Sequence, residues 1–476
     1  MRKIGLVAIC GVFLLASCGQ KQALQAEPQA AEVPASAQTA VEETAEKQPD
    51  SAESAEKKDA KPAEKAEQKV DETAAAGEKK DTATEEVMGD LPAEDAVISA
   101  IPSYLESRDY SVSSIDEALG RAQKYEAAKR FDDALRILYE AETRFGISAK
   151  LDAEYQRILG VHPLLHAEPR KLVPGKDIAT MKRIGGGSSL VYKFIKDKET
   201  VAAFKPFQKR YQSNYRSEIA AYRLCPAMKC GFDVPVNVPV WFDFDAFSSM
   251  YSHNSANPRE EFAEIIPTKL DAGTVRVDGT YKDWIREFAE YPIEFSAIWK
   301  RWLNLGMQRD ELDVEASTLL PVFESKHKRG KRFADKLAPH LEGVTVYQIA
   351  RQLSNLLVFD YLINNWDRFS GSPDLYGVNC QFSHGRFMSI DNGAGFSQTP
   401  NPKPDKHLHE ISRFSRMTYE AIKAFDKDKM CDYLFPNATV HEQEKFETFW
   451  SQREKYLKYV DDCVKANGEH ETFFFE

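Results

Sequence analysis

Three side chains that could do acid–base or metal chemistry occur in the short stretch from Ile363 to Phe396. Asp367 follows a long apolar segment, Asn379 stands in the apolar run YGVNCQF, and Asp391 begins the sequence Asp-Asn-Gly. A carboxylate such as Asp367 can accept the proton of an attacking hydroxyl. Asparagine and aspartate oxygens are hard ligands that suit magnesium or manganese. The stretch therefore predicts a base beside a site for Mg²⁺ or Mn²⁺ held by Asp391 and Asn379.

A glycine-rich segment and two charged residues precede this stretch, in the order that binding a phosphate chain requires. Backbone amides of a glycine-rich turn can approach phosphate oxygens, and a lysine held by a glutamate can be aimed at the same phosphates. Lys205 ends the strand VAAFK, and Glu218 lies in the helix that comes next. At the end of a strand, Lys205 is expected to contribute little to the core. The candidate nucleotide-binding residues are Gly185, Gly186, Gly187, Ser188, Ser189 and Lys205, with Glu218 orienting the lysine.

Each of these features also has a plainer interpretation. The glycines can be a flexible hairpin turn, because no Gly-Lys-Ser or Gly-Lys-Thr comes after them as in a Walker loop. Lys205 can be a solvated edge charge and Glu218 an exposed helix carboxylate, while Asp367 can cap a helix and Asp-Asn-Gly can be a simple turn. Their occurrence together, in the required order, favours the nucleotide site.

The elements that must position these residues divide into a β-rich part and a helical part. Alternating residues predict strands over Leu190–Ile195 and Thr200–Phe204, then a helix over YQSNYRSEIAAYRLCPAM and a strand over DVPVNVPVWFDF. Residues 246–343 show a mixed pattern that assigns no element. TVYQIARQLSNLLVFDYLINN is apolar on most of its circumference, which predicts a buried helix, and two short strands come after it. The predicted fold class is α+β, with two lobes.

Three segments resemble the secretory-pathway kinase family of the Golgi casein kinase and Four-jointed type. They are AAFKPFQKRYQSNYRSEIAAYRL, VFDYLINNWDR and MSIDNGAGF, and the likeness covers residues 171–396. The family phosphorylates proteins or sugars in the secretory lumen. The resemblance implies an atypical protein-kinase-like fold with ATP and a divalent metal as cofactors. The NNWDR core also resembles HipA-type toxin kinases and phosphoinositide kinases, so the acceptor stays open.

The resemblance also implies a role for each matching residue. Lys205 would grip phosphate, Glu218 would orient Lys205, Asp367 would be the catalytic base and Asp391 would bind metal. In the Golgi casein kinase branch two histidines follow the Asp-Arg pair, whereas Phe369, Ser370 and Gly371 follow it here. The longer loop that ends in Asn379 is closer to the Four-jointed branch, which makes the metal role of Asn379 less direct than that of Asp391.

The N-terminus predicts a lipid-anchored protein of the bacterial cell envelope. Two basic residues, an apolar run and Leu-Ala-Ser-Cys, ending at Cys18, form a secretory signal with a lipobox. Lipidation of Cys18 would anchor the chain in the bilayer, and Gly19 in place of an aspartate resembles outer-membrane sorting. An ordinary cleaved signal with an incidental cysteine is the alternative.

Composition predicts four regions in the chain of 476 residues. Residues 1–18 are the lipoprotein signal peptide, and residues 19–95 form a disordered linker rich in Ala, Glu and Lys that cannot bury enough apolar surface to fold. Residues 96–165 form a small helical, tetratricopeptide-like subdomain, with two helices broken near Arg130 and stopped at Gly146. Residues 166–476 form the kinase-like domain. We expect the helical subdomain to pack on this domain, since one such unit is unstable alone.

The net charge and the cysteines bear on the possible partners, disulfides and metal sites of the chain. The net charge of -11 argues against a nucleic-acid partner. Five cysteines remain beyond Cys18, and in an oxidising envelope Cys225 and Cys230 are the closest candidates to pair, although spacing does not fix connectivity. No Cys/His spacing resembles a zinc site.

The function predicted from the sequence is ATP-dependent phosphoryl transfer, as in secreted kinases. The γ-phosphoryl group would pass to a hydroxyl of an envelope or extracellular protein or glycan. A nucleotide-binding pseudokinase and an envelope scaffold, both without turnover, are the alternatives.

Overall fold

A β-sheet lobe lies between a short helical segment and a larger helical lobe in the part of the chain that the structure describes. The computed structural model describes residues 109–185, 189–210, 213–250, 262–270, 273–369 and 379–475. Cys18 and the predicted linker lie outside these residues, as do Gly186, Gly187 and Ser188. Within the described ranges, no helix is both long enough and apolar enough to cross a membrane.

Ten strands form two sheets in the part of the chain that the structure describes. They are β1 (Arg170–Lys171), β2 (Thr180–Arg183), β3 (Tyr192–Lys196), β4 (Glu199–Pro206), β5 (Asn237–Asp243), β6 (Thr268–Lys269), β7 (Val275–Asp283), β8 (Ala289–Glu290), β9 (Cys380–Ser383) and β10 (Arg386–Ser389). The larger sheet has the order β1-β5-β7-β4-β3-β2, with β6 also paired to β7, and the smaller one has the order β10-β9-β8. In the larger sheet β1 and β5 pair in parallel, and the other described strand pairs are antiparallel. The strands predicted around residues 190–204 are confirmed to within a few residues.

The centre of the larger sheet is β7, which the sequence pattern did not reveal. Its residue Thr280 lies opposite Lys205 of β4, and on its other side Thr280 lies opposite Pro239 of β5. Gly279 permits this close packing, because a Cβ there would lie 2.5 Å from the Lys205 carbonyl oxygen and equally close to the Phe204 ring. The sheet therefore fixes the end of β4, where Lys205 stands.

Fifteen α-helices surround the sheets in the described ranges. They are α1 (Ile115–Ala127), α2 (Phe131–Phe145), α3 (Ala149–Val161), α4 (Tyr215–Ala227), α5 (Phe244–Met250), α6 (Ser296–Trp302), α7 (Arg309–Leu312), α8 (Leu320–Lys326), α9 (Gly330–Leu341), α10 (Val346–Leu362), α11 (Pro402–His409), α12 (Arg416–Lys423), α13 (Lys427–Leu434), α14 (Val440–Asn467) and α15 (Glu469–Thr472).

Helix α10 is the centre of the helical lobe. Thr345 caps its N-terminus in a capping box with Gln348. Every residue of the helix except Gln348 is buried, as its apolar circumference predicts. The helix ends five residues before Asp367, so its packing sets the position of that aspartate.

The helices α1 to α3 pack against the rest of the described chain. The two predicted helices are present, and Gly146, with φ of +84°, ends the second one. Lys229, in the loop after α4, donates to Glu142 at 2.6 Å and to Asp152 at 2.8 Å. Lys229 and Glu142 are both buried, so this ion pair fixes the loop at the end of α4 to the helical segment.

The predicted α+β, two-lobed fold class is confirmed. A strand lysine is followed by a helix glutamate in the sheet lobe, and the buried helix of the second lobe leads to Asp367 and then to the β9–β10 hairpin. The Cys225–Cys230 disulfide is also present, and Cys380, Cys431 and Cys463 are free. The four-region division of the chain stays a prediction.

Candidate active site

Lys205 stands at the centre of a buried ion-pair cluster. Its Nζ donates to Glu218 Oε1 at 2.7 Å, and it also forms an ion pair with Asp391. The residue is only 5 % exposed. The expectation that Lys205 contributes little to the core is therefore wrong, because its ammonium is enclosed where β4, α4 and the Asp391 turn meet.

Glu218 joins both lobes through one carboxylate. Helix α4 begins after Asn214, whose side chain accepts the backbone N–H of Arg216 at 2.9 Å. Glu218 lies in the first turn of this helix and is 1 % exposed, so the alternative of an exposed carboxylate is excluded. Its Oε2 accepts the backbone N–H of Asn392 at 3.0 Å and lies 3.5 Å from Lys282 Nζ.

The turn after β10 closes tightly over the lysine. Asp391 has φ of +54°, and Asn392–Ala394 form a short 3₁₀ turn. The backbone N–H of Asn214 donates to the Gly393 carbonyl at 3.2 Å. A Cβ at Gly393 would lie 2.8 Å from Lys205 Nζ and 3.2 Å from Ser213 Cα. Glycine is therefore the residue that lets this turn approach the lysine so closely.

Asp367 and Asn379 contact each other directly. Asn379 Nδ2 donates to Asp367 Oδ2 at 3.0 Å and to the Asp367 carbonyl at 2.9 Å. The backbone N–H of Asp367 donates to Asn365 Oδ1 at 3.2 Å. Asn379 lies one residue before β9 and not within a strand, which corrects the prediction that it stands on one. The asparagine amide thus orients the carboxylate predicted to be the base.

Arg368 connects the segments that carry the candidate residues. Its side chain is fully buried and pairs with Asp360 of α10 at 3.0 Å. Its Nη1 donates to the carbonyl of Asn379, and to that of Ile390 at 3.0 Å. Its Nη2 donates to Asn392 Oδ1 at 2.7 Å. One guanidinium therefore fixes the positions of the residues next to Asp367 and Asp391, and of Asn379 itself.

The charges of the cluster shift the pKa values of its members in opposite directions. Burial disfavours the charged Lys205 ammonium, but the carboxylates of Asp391 and Glu218 outweigh burial and raise the pKa of Lys205. Burial likewise opposes ionisation of Asp391, but the charges of Lys205 and Lys282 hold its pKa well below the usual range. Lys205 and Asp391 therefore stay charged near neutral pH.

The pKa of Asp367 is shifted in the opposite direction from that of Asp391. Burial raises its pKa, and the negative charge of Asp391 raises it further, while the hydrogen bond from Asn379 opposes both effects. A carboxylate with a raised pKa is a stronger base than a solvated one. This direction suits a residue that accepts a proton.

The oxygen donors present suit a hard divalent cation. No group of three His, Cys, Asp or Glu side chains in the described ranges forms a ready-made metal site. The Asp391 side chain is 43 % exposed, and its charge is felt at Asp367. These two carboxylates and the amide oxygen of Asn379 are oxygen donors, the ligand type that magnesium or manganese prefers. Of the glycine-rich segment, Gly185 and Ser189 lie between β2 and β3, and the residues between them fall outside the described ranges.

We expect Arg368→Gln to lower the free energy of unfolding by about 3–5 kcal/mol, because it leaves the Asp360 carboxylate buried without its partner. The double variant Asp360→Asn/Arg368→Gln should recover part of this loss, because no charge is then left unpaired. Urea unfolding of the wild type, both single variants and the double variant measures the coupling. Lys458→Gln, which breaks an exposed pair with Asp462, is the control and should change little. Additive losses in the double variant would contradict the predicted coupling.

Sequence reasoning missed four residues of this cluster, Asp360, Arg368, Asn392 and Lys282. The signal for Asp360 was a lone acidic residue in an otherwise apolar helix, which requires a buried partner. The adjacent Asp-Arg pair was the signal for Arg368. Lys282 gave no signal, because its strand was not predicted.

Comparison with known proteins gives only distant similarity. No protein-family model matches the chain, and no curated protein matches it at a significant level. Among solved structures, the crystal structure of the Golgi casein kinase is 14 % identical over 78 % of this chain and 97 % of that chain, with a TM-score of 0.39. The crystal structure of the Golgi casein kinase with Mn and ADP bound has the same identity and coverage and a TM-score of 0.38. These similarities assign no role to any residue, so the site rests on the contacts described above.

Proposed function

We propose that this chain is an ATP-dependent phosphotransferase that acts on a hydroxyl group of an envelope or extracellular protein or glycan. The observation that carries the proposal is the cluster in which Glu218 binds Lys205 and the Asn392 backbone, and Lys205 also contacts Asp391. A strand lysine that is held by a helix glutamate and lies beside the aspartate of a turn is the arrangement that can position a nucleotide phosphate chain.

Each residue of the cluster has a role in this proposal. Lys205 binds phosphate oxygens, and Glu218 keeps the ammonium in place. Asp367 accepts the proton of the acceptor hydroxyl, with Asn379 holding its carboxylate. Asp391 and Asn379 supply the oxygen ligands for magnesium or manganese. When bound, the metal would neutralise charge that develops on the phosphate oxygens.

A second candidate is a protein that binds nucleotide without turnover. One observation favours it, since Asp391 is engaged by Lys205, and a metal would have to compete for this carboxylate. The first candidate requires that nucleotide and metal shift Lys205 from Asp391 towards phosphate. The second candidate requires binding alone.

Incubating the full chain with γ-labelled ATP, manganese and an envelope extract tests the proposal. We expect label on a protein or glycan of the extract, and none when manganese is replaced by a chelator. A thermal shift with ATP and manganese but no transfer to the extract, to the chain itself or to water would favour the second candidate. Absence of both label transfer and the thermal shift would contradict both candidates, and an envelope scaffold without nucleotide binding would then be the remaining hypothesis.

The lipobox supports a separate proposal, that the chain is lipid-anchored in the outer membrane. We expect Cys18→Ala to block lipid attachment and to leave the precursor unprocessed, because the acceptor sulfur is lost. Metabolic labelling with a fatty acid and fractionation of wild-type and variant cells measure this. Cys10→Ala, within the signal itself, is the matched control and should be lipidated normally. Recovery of the wild-type chain in the cytosol would contradict the proposal.

A further inference from the structure

A cavity of about 130 Å³ lies beside helix α4, on a different face from Glu218. With 3.6 residues per turn, Arg223 is turned by about 140° from Glu218 around the helix axis. Arg216 and Arg223 of the helix line the cavity, together with Glu168 and the segment after α13 that includes Asn437. A single water needs roughly 10–15 Å³ of such space, so the cavity has room for a larger polar ligand.

Arg223 is a buried cation whose N–H groups make only long hydrogen bonds to backbone carbonyls, or none. It is 3 % exposed, yet it forms no ion pair with any acidic residue in the described ranges. Its Nη1 donates to the carbonyls of Tyr433 at 3.3 Å and Leu434 at 3.5 Å, and its Nη2 donates to that of Ala167 at 3.3 Å. These distances are longer than the usual separation of about 2.9–3.0 Å. Its Nε has no hydrogen-bond partner within the described residues.

A buried guanidinium without a carboxylate is costly unless another anion balances it. Burial accordingly lowers the pKa of Arg223. Glu168 lies in the cavity wall but is exposed, and no hydrogen bond joins it to Arg223 in the described ranges. The charge of Glu168 favours the charged form of Arg223 only in part. The site therefore holds a buried cation with no anion bonded to it in the described ranges, next to an open cavity.

Neighbouring groups add positive charge to this region. Arg216 pairs with Glu442 and donates to the Pro436 carbonyl at 3.0 Å. Lys445, which is buried close by, has its pKa lowered to about 8, mainly by burial, with Glu442 opposing and Arg216 adding to the shift. Glu442 is thus a buried carboxylate that pairs with Arg216 and lies near Lys445.

We propose that this cavity binds a small oxyanion of the phosphate class, with Arg223 and Arg216 as its ligands. The guanidinium donors of Arg223 that now make long bonds to carbonyls, or none, would instead make charge-assisted hydrogen bonds to the oxyanion. The site is separate from the Lys205 cluster and does not depend on phosphoryl transfer. Glu168, at the rim, opposes the anion by repulsion.

Thermal unfolding of the full chain in inorganic phosphate tests this site, with chloride at equal ionic strength as the reference. We expect a saturable rise in melting temperature with phosphate. Arg223→Gln should weaken phosphate binding by about tenfold or more, since a hydrogen bond to a charged group is lost. Glu168→Gln should strengthen binding. O-phosphoserine, used in place of phosphate, tells whether the cavity admits a phosphorylated side chain or only the free ion.

Arg301→Gln, at an exposed arginine of α6, is the matched control, because it makes the same chemical change outside both the cavity and the Lys205 cluster. Its phosphate response should equal that of the wild type. A full response in Arg223→Gln, or a response lost in Arg301→Gln, would overturn the proposal. If Arg223→Gln does not fold, the variants Arg216→Gln and Glu168→Gln test the site instead. Unchanged phosphate affinity in both of them would also overturn the proposal.

Discussion

Asp367→Asn should lose phosphoryl transfer by roughly 10²- to 10⁴-fold, the contribution that a general base typically makes. The amide is close to the carboxylate in shape and can still accept the hydrogen bond that Asn379 donates at 3.0 Å. It cannot accept the proton of the acceptor hydroxyl at neutral pH. Because Asp367 faces the acceptor in this proposal, the rise in melting temperature with ATP and manganese should persist. Single-turnover transfer assays and thermal unfolding measure the two effects on the same sample.

The control for this substitution is Asp245→Asn, an exposed aspartate on α5 in the sheet lobe. It makes the same chemical change away from the cluster and should keep both transfer and nucleotide binding. Wild-type transfer rates in Asp367→Asn would remove the residue from the role of base. Loss of the thermal shift together with transfer would instead place Asp367 among the nucleotide or metal ligands.

Asp391→Asn should abolish the rise in melting temperature that ATP with manganese gives the wild type. By mass action that rise corresponds to about 2.7 kcal/mol at a ligand concentration a hundred times the dissociation constant. The substitution removes the charge that holds a divalent cation but keeps an oxygen near Lys205. Asparagine is preferred to alanine here because Asp391 has φ of +54°, a conformation that asparagine tolerates and that strains most other residues.

The melting temperature of Asp391→Asn in the absence of ligand is the internal control for the folding of this variant. Lys205 keeps its 2.7 Å contact with Glu218, so the variant should fold, and its melting temperature in buffer shows whether it does. Titration with manganese alone and with ATP alone separates loss of the metal from loss of the nucleotide. A full ATP–manganese shift in a folded Asp391→Asn variant would contradict the metal role.

For Lys205, the local sequence pattern predicted the secondary structure around the residue but not its complete burial. Its place at the end of a strand and the helix carrying Glu218 were both predicted, and the ion pair between them is present at 2.7 Å. The neighbours Phe204 and Pro206 indicated a partly enclosed site. The full burial of Lys205 was not predicted, because it depends on Asp391, which lies 186 residues further along the chain. A charge at a strand end is exposed unless a distant segment covers it, and nothing local reports that segment.

Strand β7 is a second case in which local pattern was insufficient. It pairs with β4 through Lys205 and Thr280 and with β5 through Pro239 and Thr280. A central strand takes its register from neighbours on both sides, and its buried polar residues interrupt the alternation that marks a half-exposed strand. The position of Lys282 beside Glu218 depends on that register and was therefore missed with it.

The sequence by itself determined the order of the elements outside residues 246–343 and the buried helix α10. It also identified five charged or amide residues that make direct contacts in the structure, Lys205 with Glu218 and Asp391, and Asp367 with Asn379. These properties arise from local periodicity, capping and residue chemistry, which act over a few turns or a few residues. Only the tertiary structure decided that Arg368 would join Asp360, Asn379 and Asn392 through a single guanidinium. Such a network requires segments far apart in the chain to meet in a water-excluded space, where each buried charge must find its partner.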